Sequence, residues 1–342
     1  MDQLTAHLDR GWDLAQSGDA RGAESSARRA LELAPDSPEA FNLLGYVASL
    51  EGDTDEAIEA YQQAIALDDG YVEAMLNAAE LCVHPLADFE QAIDLCERVL
   101  DISEFDDEIL DALLLKFDAH FGMNDDDEAR KVLLRLPTGP FESAMHNLLA
   151  GRAHFELGET ARARPLLDAA LASEPGNPEI SYYAGLLAEA EGNHQEASML
   201  FLRVRQIECD AELPPWAPNE QAFMAFVEQA VAALPAELGK LMTQAEVYVV
   251  DMPGPEMLVD GIDVHAMALV DVLGADRETG DSSSPAGAPA LLATSRLRVF
   301  LYAVNLLRQA GSLPAVEPAI REALERELRQ LQDEGRDPGV SN

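Results

Sequence analysis

Small side chains recur along the first 210 residues with a period close to 34. Ala23, Ala57, Ala92, Ala129, Ala163 and Ala197 follow one another at spacings of 34, 35, 37, 34 and 34. Upstream of most of them stands a second small residue: Gly11, Gly45, Ala79, Gly151 and Gly185. A glycine precedes four of them at a fixed distance (Gly18, Gly52, Gly158 and Gly192), and a larger apolar side chain follows at Tyr61, Leu133, Leu167 and Phe201. Alanines return at Ala30, Ala64 and Ala170, and Pro35 and Pro175 close two of the units. The pattern predicts six antiparallel helix pairs. Helices approach closely only where side chains are small. A glycine in the turn supplies a positive φ, and a proline after the second helix stops it. One pair cannot bury its apolar face alone, so the units are expected to stack.

The phrase "ALELAPDSPEAFNLLGYVASLEGDTDEAIEAYQQAIAL" resembles the tetratricopeptide repeat family, and the resemblance covers roughly residues 4–210. The third and fourth units depart from the pattern at "LCVHPLADFEQA" and "HFGMNDDDEARKVLLRLP", which predicts an irregular stretch around residues 84–140. The acidic run Asp125-Asp126-Asp127-Glu128 reads as a helix start favoured by the helix dipole. The resemblance implies a groove lined by the first helices. Carried onto this chain, its positions are Trp12, Asn42, Tyr46, Leu76, Glu80, Leu148, Arg152, Phe155, Tyr182 and Glu189. The lysine and asparagine cluster with which some members grip a C-terminal carboxylate is missing. An aromatic and acidic groove suits a protein or peptide with apolar anchors and some Lys or Arg. For each aromatic, packing between units is the competing reading.

Beyond Cys209 the pattern changes. Residues 211–219 form a proline-rich linker. Residues 220–234 form an amphipathic helix with Phe223, Phe226, Val227, Ala230 and Val231 on one face. "AEVYVVDMP", "HAMALVDVL" and "RLRVFLYAVNLL" read as strands, the polar "GADRETGDSSSPAGAPA" as a loop, and residues 316–333 as the last helix. The expectation is an α-helical solenoid over 1–210, followed by a small α/β domain over 220–335 and a tail at 336–342.

The α/β part is similar to the minimal zincin-like metallopeptidase domain over about residues 221–333. The matching stretches are "FMAFVEQAVAALPAELGKLMTQAEVYVVDMP", "LVDVLGA", "RLRVFLYAVNLL" and "AIREALERELRQL". That resemblance implies an HExxH motif on the last helix, where two histidines share a zinc and the glutamate activates water. Here the motif positions hold Arg326, Glu327 and Gln330, and a further ligand would fall near Arg336. An arginine stays protonated and repels a metal. His265, placed on a strand, is the domain's only histidine, and His7, His84, His120, His146, His154 and His194 are scattered. Glu327 reads as a solvated residue on a helix that carries Glu322–Arg326 and Glu325–Arg329 pairs. No cofactor, metal site or catalytic residue is expected, and no other catalytic signature is present.

Charge narrows the partners. With 63 acidic and 23 basic residues the formal charge is −40, which repels nucleic acid and anionic lipid. It serves solubility or attracts a basic protein. Cys82, Cys96 and Cys209 suit a reducing compartment, the first two as core residues, and no stretch is long and apolar enough to span a membrane. The expectation is a cytoplasmic, non-enzymatic adaptor whose peptidase-like domain is a second recognition surface. Two alternatives remain open: a divergent zinc metallopeptidase, and an assembly subunit whose C-terminal domain caps the solenoid.

Overall fold

The computed structural model describes residues 3–243, 245–273 and 296–334. The loop expected at 274–290, the tail at 336–342 and the position of Arg336 lie outside the described residues. The chain forms two compact units, Met1–Pro175 and Gly176–Asn342.

The first unit is five helix pairs: α1 (Gln3–Gln16) with α2 (Ala20–Leu33), α3 (Pro38–Glu51) with α4 (Thr54–Leu67), α5 (Val72–Val83) with α6 (Phe89–Ile102), α7 (Asp106–Gly122) with α8 (Asp126–Leu133), and α9 (Ala144–Glu156) with α10 (Thr160–Ser173). Each first helix also packs beside the next first helix. The small residues do what their spacing predicts. A Cβ on Gly45 would sit 2.6 Å from the Tyr61 ring, and one on Gly151 would sit 2.8 Å from Leu167. These are approaches that only hydrogen permits.

Every turn inside a pair uses one left-handed residue, immediately before the first residue that caps the second helix. These residues are Gly18, Gly52, Ala87, Asn124 and Gly158, at φ of 83°, 80°, 52°, 58° and 74°. Asp19, Asp53, Asp88 and Asp125 then accept from the backbone N–H of Gly22, Glu56, Gln91 and Glu128, satisfying a donor that the helix start leaves open. The acidic run at 125–128 is thus a capped helix start.

The irregular stretch falls where the sequence departs from its period. Most second helices have 14 residues, whereas α8 has 8. At the position of Gly45 and Gly151 the fourth pair carries Phe117, fully buried among Ala129, Val132 and Leu133. The His84–Pro85 and Gly139–Pro140 peptides are cis. Cys82 and Cys96 are core residues, and burial pushes their thiols up to about 11 and about 12.

The second unit opens with the sixth helix pair, α11 (Pro178–Ala190) and α12 (His194–Asp210). It continues through α13 (Glu220–Ala233), α14 (Ala236–Met242), β1 (Glu246–Val250), α15 (Pro255–Val259), β2 (Ala268–Leu273), β3 (Arg296–Tyr302), α16 (Ala303–Ala310) and α17 (Val316–Glu334). The sheet order is β1-β3-β2, with β1 parallel and β2 antiparallel to β3. Leu297, Val299 and Leu301 alternate onto one face of β3 and are buried against Phe223, Val227 and Ala230 of α13 and Ile320, Leu324 and Leu328 of α17.

Three expectations need correction. "RLRVFLYAVNLL" is a strand only to Tyr302 and then turns into α16. His265 precedes β2 in a turn, its backbone N–H held by the Asp263 side chain. The proline-rich segment 211–219 lies within the second unit, because the sixth pair shares a core with the C-terminal elements: Val204, Phe201 and Tyr182 pack with Met252, Leu258, Val264 and Val304.

Candidate functional site

Equivalent positions on successive first helices meet. The Trp12 and Tyr46 rings lie 5.1 Å apart and are tilted by 51°, both half-buried. Leu76 is half-buried and Glu80 exposed. Burial pushes the Tyr61 hydroxyl up and a hydrogen bond with Ser49 opposes it, while Glu80, Tyr46 and Glu73 add to the rise.

Other expected groove residues are used internally. Asn42 and Leu148 are fully buried. Asn42 accepts from Asn77 Nδ2 at 3.1 Å and donates to the Tyr71 hydroxyl at 3.5 Å, which spends its polar atoms between units. Arg152 donates to both carboxylate oxygens of Asp118 at 2.6 Å, and Glu156 lies 3.9 Å away. Burial holds Asp118 and Glu156 above the usual carboxylate range, with Arg152 opposing the shift. Two carboxylates therefore share one guanidinium, leaving an acidic excess. Phe155 is half-buried.

Tyr182 and Glu189 belong to the second unit. Tyr182 is covered there: its ring lies 4.4 Å from that of His265, and its hydroxyl donates to Asp263 at 3.4 Å. Glu189 is exposed. Sequence reading missed Glu208, buried on α12, which accepts from Arg308 at 2.9 Å and lies 3.2 Å from His265 Nε2. Nothing local in the chain signals that contact.

Arg326, Glu327 and Gln330 all lie on α17. Arg326 approaches its neighbour Glu327 at 3.7 Å and not Glu322, whereas Arg329 pairs with Glu325 at 3.0 Å as expected. Glu327 is not the solvated residue expected: its side chain is 20% exposed. It adds to the rise that burial imposes on Tyr302, pushed up to about 12. Among the described residues no group of three or more His, Cys, Asp or Glu is arranged to hold a metal ion. At the described motif positions, Arg326 stays protonated and repels a cation, so Arg326, Glu327 and Gln330 do not make a zinc ligand set. No described helix is long and apolar enough to cross a membrane.

A family model described as tetratricopeptide repeat matches residues 8–72, 51–107 and 148–207, and these stretches carry such repeats. Two solved structures share the fold. Pseudomonas aeruginosa pilF is 18% identical, with 61% of this chain and 93% of that one covered and a TM-score of 0.51. PilW, described as a widely conserved type IV pilus biogenesis factor, is 16% identical, with 61% and 95% covered and a TM-score of 0.53. No curated protein matches the sequence.

Proposed function

We propose that the chain is a non-enzymatic adaptor that holds a protein or peptide partner along its first helices. Tetratricopeptide-repeat proteins in general bind proteins. The observation that carries this reading is the Trp12–Tyr46 pair, two partly open aromatic rings on successive first helices, with exposed Glu80 on the next first helix. Aromatic anchors contribute most to an interface when a partner covers them. The acidic excess of Asp118 and Glu156 over Arg152 adds attraction for Lys or Arg. The partner is therefore apolar and basic, in keeping with a chain of formal charge −40.

The C-terminal elements, read as a peptidase-like domain without its zinc ligands, serve as a second recognition or regulatory surface and as the cover of the sixth helix pair. The three unpaired cysteines suit cytoplasmic work.

The test is affinity capture from lysate with the full chain and with Trp12→Ala/Tyr46→Ala, each checked for helical content, together with metal analysis. Proteins that wild type retains and the variant loses are expected. Equal capture by both, or one zinc per chain with chelator-sensitive peptide cleavage, overturns the reading.

A further inference from the structure

In the second unit a cavity of about 390 Å³ opens between the α11–α12 pair and the segment from α15 towards β2. Its lining includes the apolar side chains of Leu186, Phe201, Leu258 and Ile262. Val259, also in the lining, is a large apolar side chain that is 63% exposed. The volume is in the range of sites that take a small ligand or a single anchoring side chain.

Three carboxylates share the lining: Glu189, Asp260 and Asp263. Asp263 is fixed in place, accepting from the His265 backbone N–H at 2.9 Å and from the Tyr182 hydroxyl at 3.4 Å. Among the described residues no Lys or Arg pairs with any of the three, and His194 is the remaining ionisable side chain in the lining. A lining that combines apolar side chains with three carboxylates is complementary to an apolar side chain flanked by cations. Solvent is a poorer occupant of the apolar part, because it leaves Leu186, Phe201, Leu258 and Ile262 wet.

We propose that this cavity is an anchor pocket for a leucine- or methionine-sized side chain lying next to lysine or arginine in a peptide partner. The proposal rests on the adaptor reading and extends it, for the pocket is built by the sixth helix pair together with C-terminal elements. The Trp12–Tyr46 pair belongs to the other compact unit. The apolar lining selects the apolar group, and the carboxylates select the sign of its neighbours.

The test uses isotope-labelled full chain, titrated in NMR with a capped peptide of one leucine flanked by two lysines. Peptides with serine for leucine, and with glutamate for lysine, are the controls. Shifts are expected at the backbone amides of Glu189, Ala197, Gly261 and Ile262. Binding is expected to weaken roughly five- to tenfold in Glu189→Gln/Asp260→Asn, and also in Val259→Ser. The remote pair Glu59→Gln/Asp101→Asn, equal in charge removed, is expected to leave it unchanged. No binding, shifts elsewhere, or equal weakening by both charge pairs overturns the pocket. If the pocket fails while capture still depends on Trp12 and Tyr46, the adaptor reading stands. If the peptide occupies the pocket but capture ignores Trp12 and Tyr46, the pocket stands without it.

Discussion

Arg308 on α16 donates to the carboxylate of Glu208 on α12 at 2.9 Å, and Glu208 is the buried partner of the two, 7% exposed against 48%. The contact joins the sixth helix pair to the C-terminal elements, with His265 completing it at 3.2 Å. Removing the carboxylate leaves two cationic or polar groups facing an apolar seam. Glu208→Ala is expected to destabilise the second unit by about 1–3 kcal/mol, less than for a fully buried pair because Arg308 can reach water. Urea unfolding followed by Trp216 fluorescence, in a Trp12→Phe background, reads that unit; an unchanged midpoint contradicts the role given to Glu208.

The same carboxylate sets a pH dependence. Burial pushes Glu208 up, but the hydrogen bonds and charges of His265 and Arg308 outweigh it and leave its pKa below the ordinary 4.5. A carboxylate depressed on folding contributes stability that is complete above its unfolded value and lost as pH falls through the folded one. The second unit is therefore expected to lose stability below about pH 4.5. Glu208→Gln should lose less over that range, and parallel pH profiles for the two proteins would refute the assignment.

Ala87 holds the left-handed turn position that Gly18 and Gly52 hold elsewhere, at φ 52°. A side chain there clashes with its own backbone at a cost of about 1–2 kcal/mol, part of which glycine's freedom in the unfolded chain takes back. Ala87→Gly is expected to stabilise the first unit by about 0.5–1 kcal/mol, and Gly52→Ala to destabilise it by a similar amount or more. Denaturant unfolding followed by Trp12 fluorescence in a Trp216→Phe background measures both; a destabilised Ala87→Gly refutes the strain.

This turn also shows what could be read from the chain. Close helix approach and positive φ demand particular residues, so Gly45 opposite Tyr61 and glycine at positions 18, 52 and 158 made the repeats visible. Where Ala87 and Asn124 bear the same geometry, the signal faded although the turn did not. The capping aspartates Asp19, Asp53, Asp88 and Asp125 carry the period through that gap. Groove positions were less legible. Family spacing puts Asn42 and Leu148 on the right helices but does not say whether neighbours bury them. The union of the sixth pair with the C-terminal elements depends on contacts such as Glu208 with Arg308, between segments far apart in sequence, and no local pattern encodes it. The apolar run across Tyr302 and Ala303 hid the change from strand to helix, because both elements are buried there.

Arg152 was expected to face a partner and instead grips Asp118, their side chains 16% and 14% exposed. Arg152→Met is expected to cost about 2–4 kcal/mol by stranding a buried carboxylate. Asp118→Asn in the same chain should recover most of that loss, a coupling that a double-mutant cycle in urea reads directly. Additive losses would mean that the pair does not act as one unit.

The most direct test of the adaptor account is hydrogen–deuterium exchange on the full chain, alone and with a captured partner. The account predicts protection concentrated on α1, α3 and α5, around Trp12, Tyr46, Leu76 and Glu80, and its loss in Trp12→Ala/Tyr46→Ala. Protection confined to the second helices α2, α4 and α6, with the first helices exchanging as in the free chain, would contradict it.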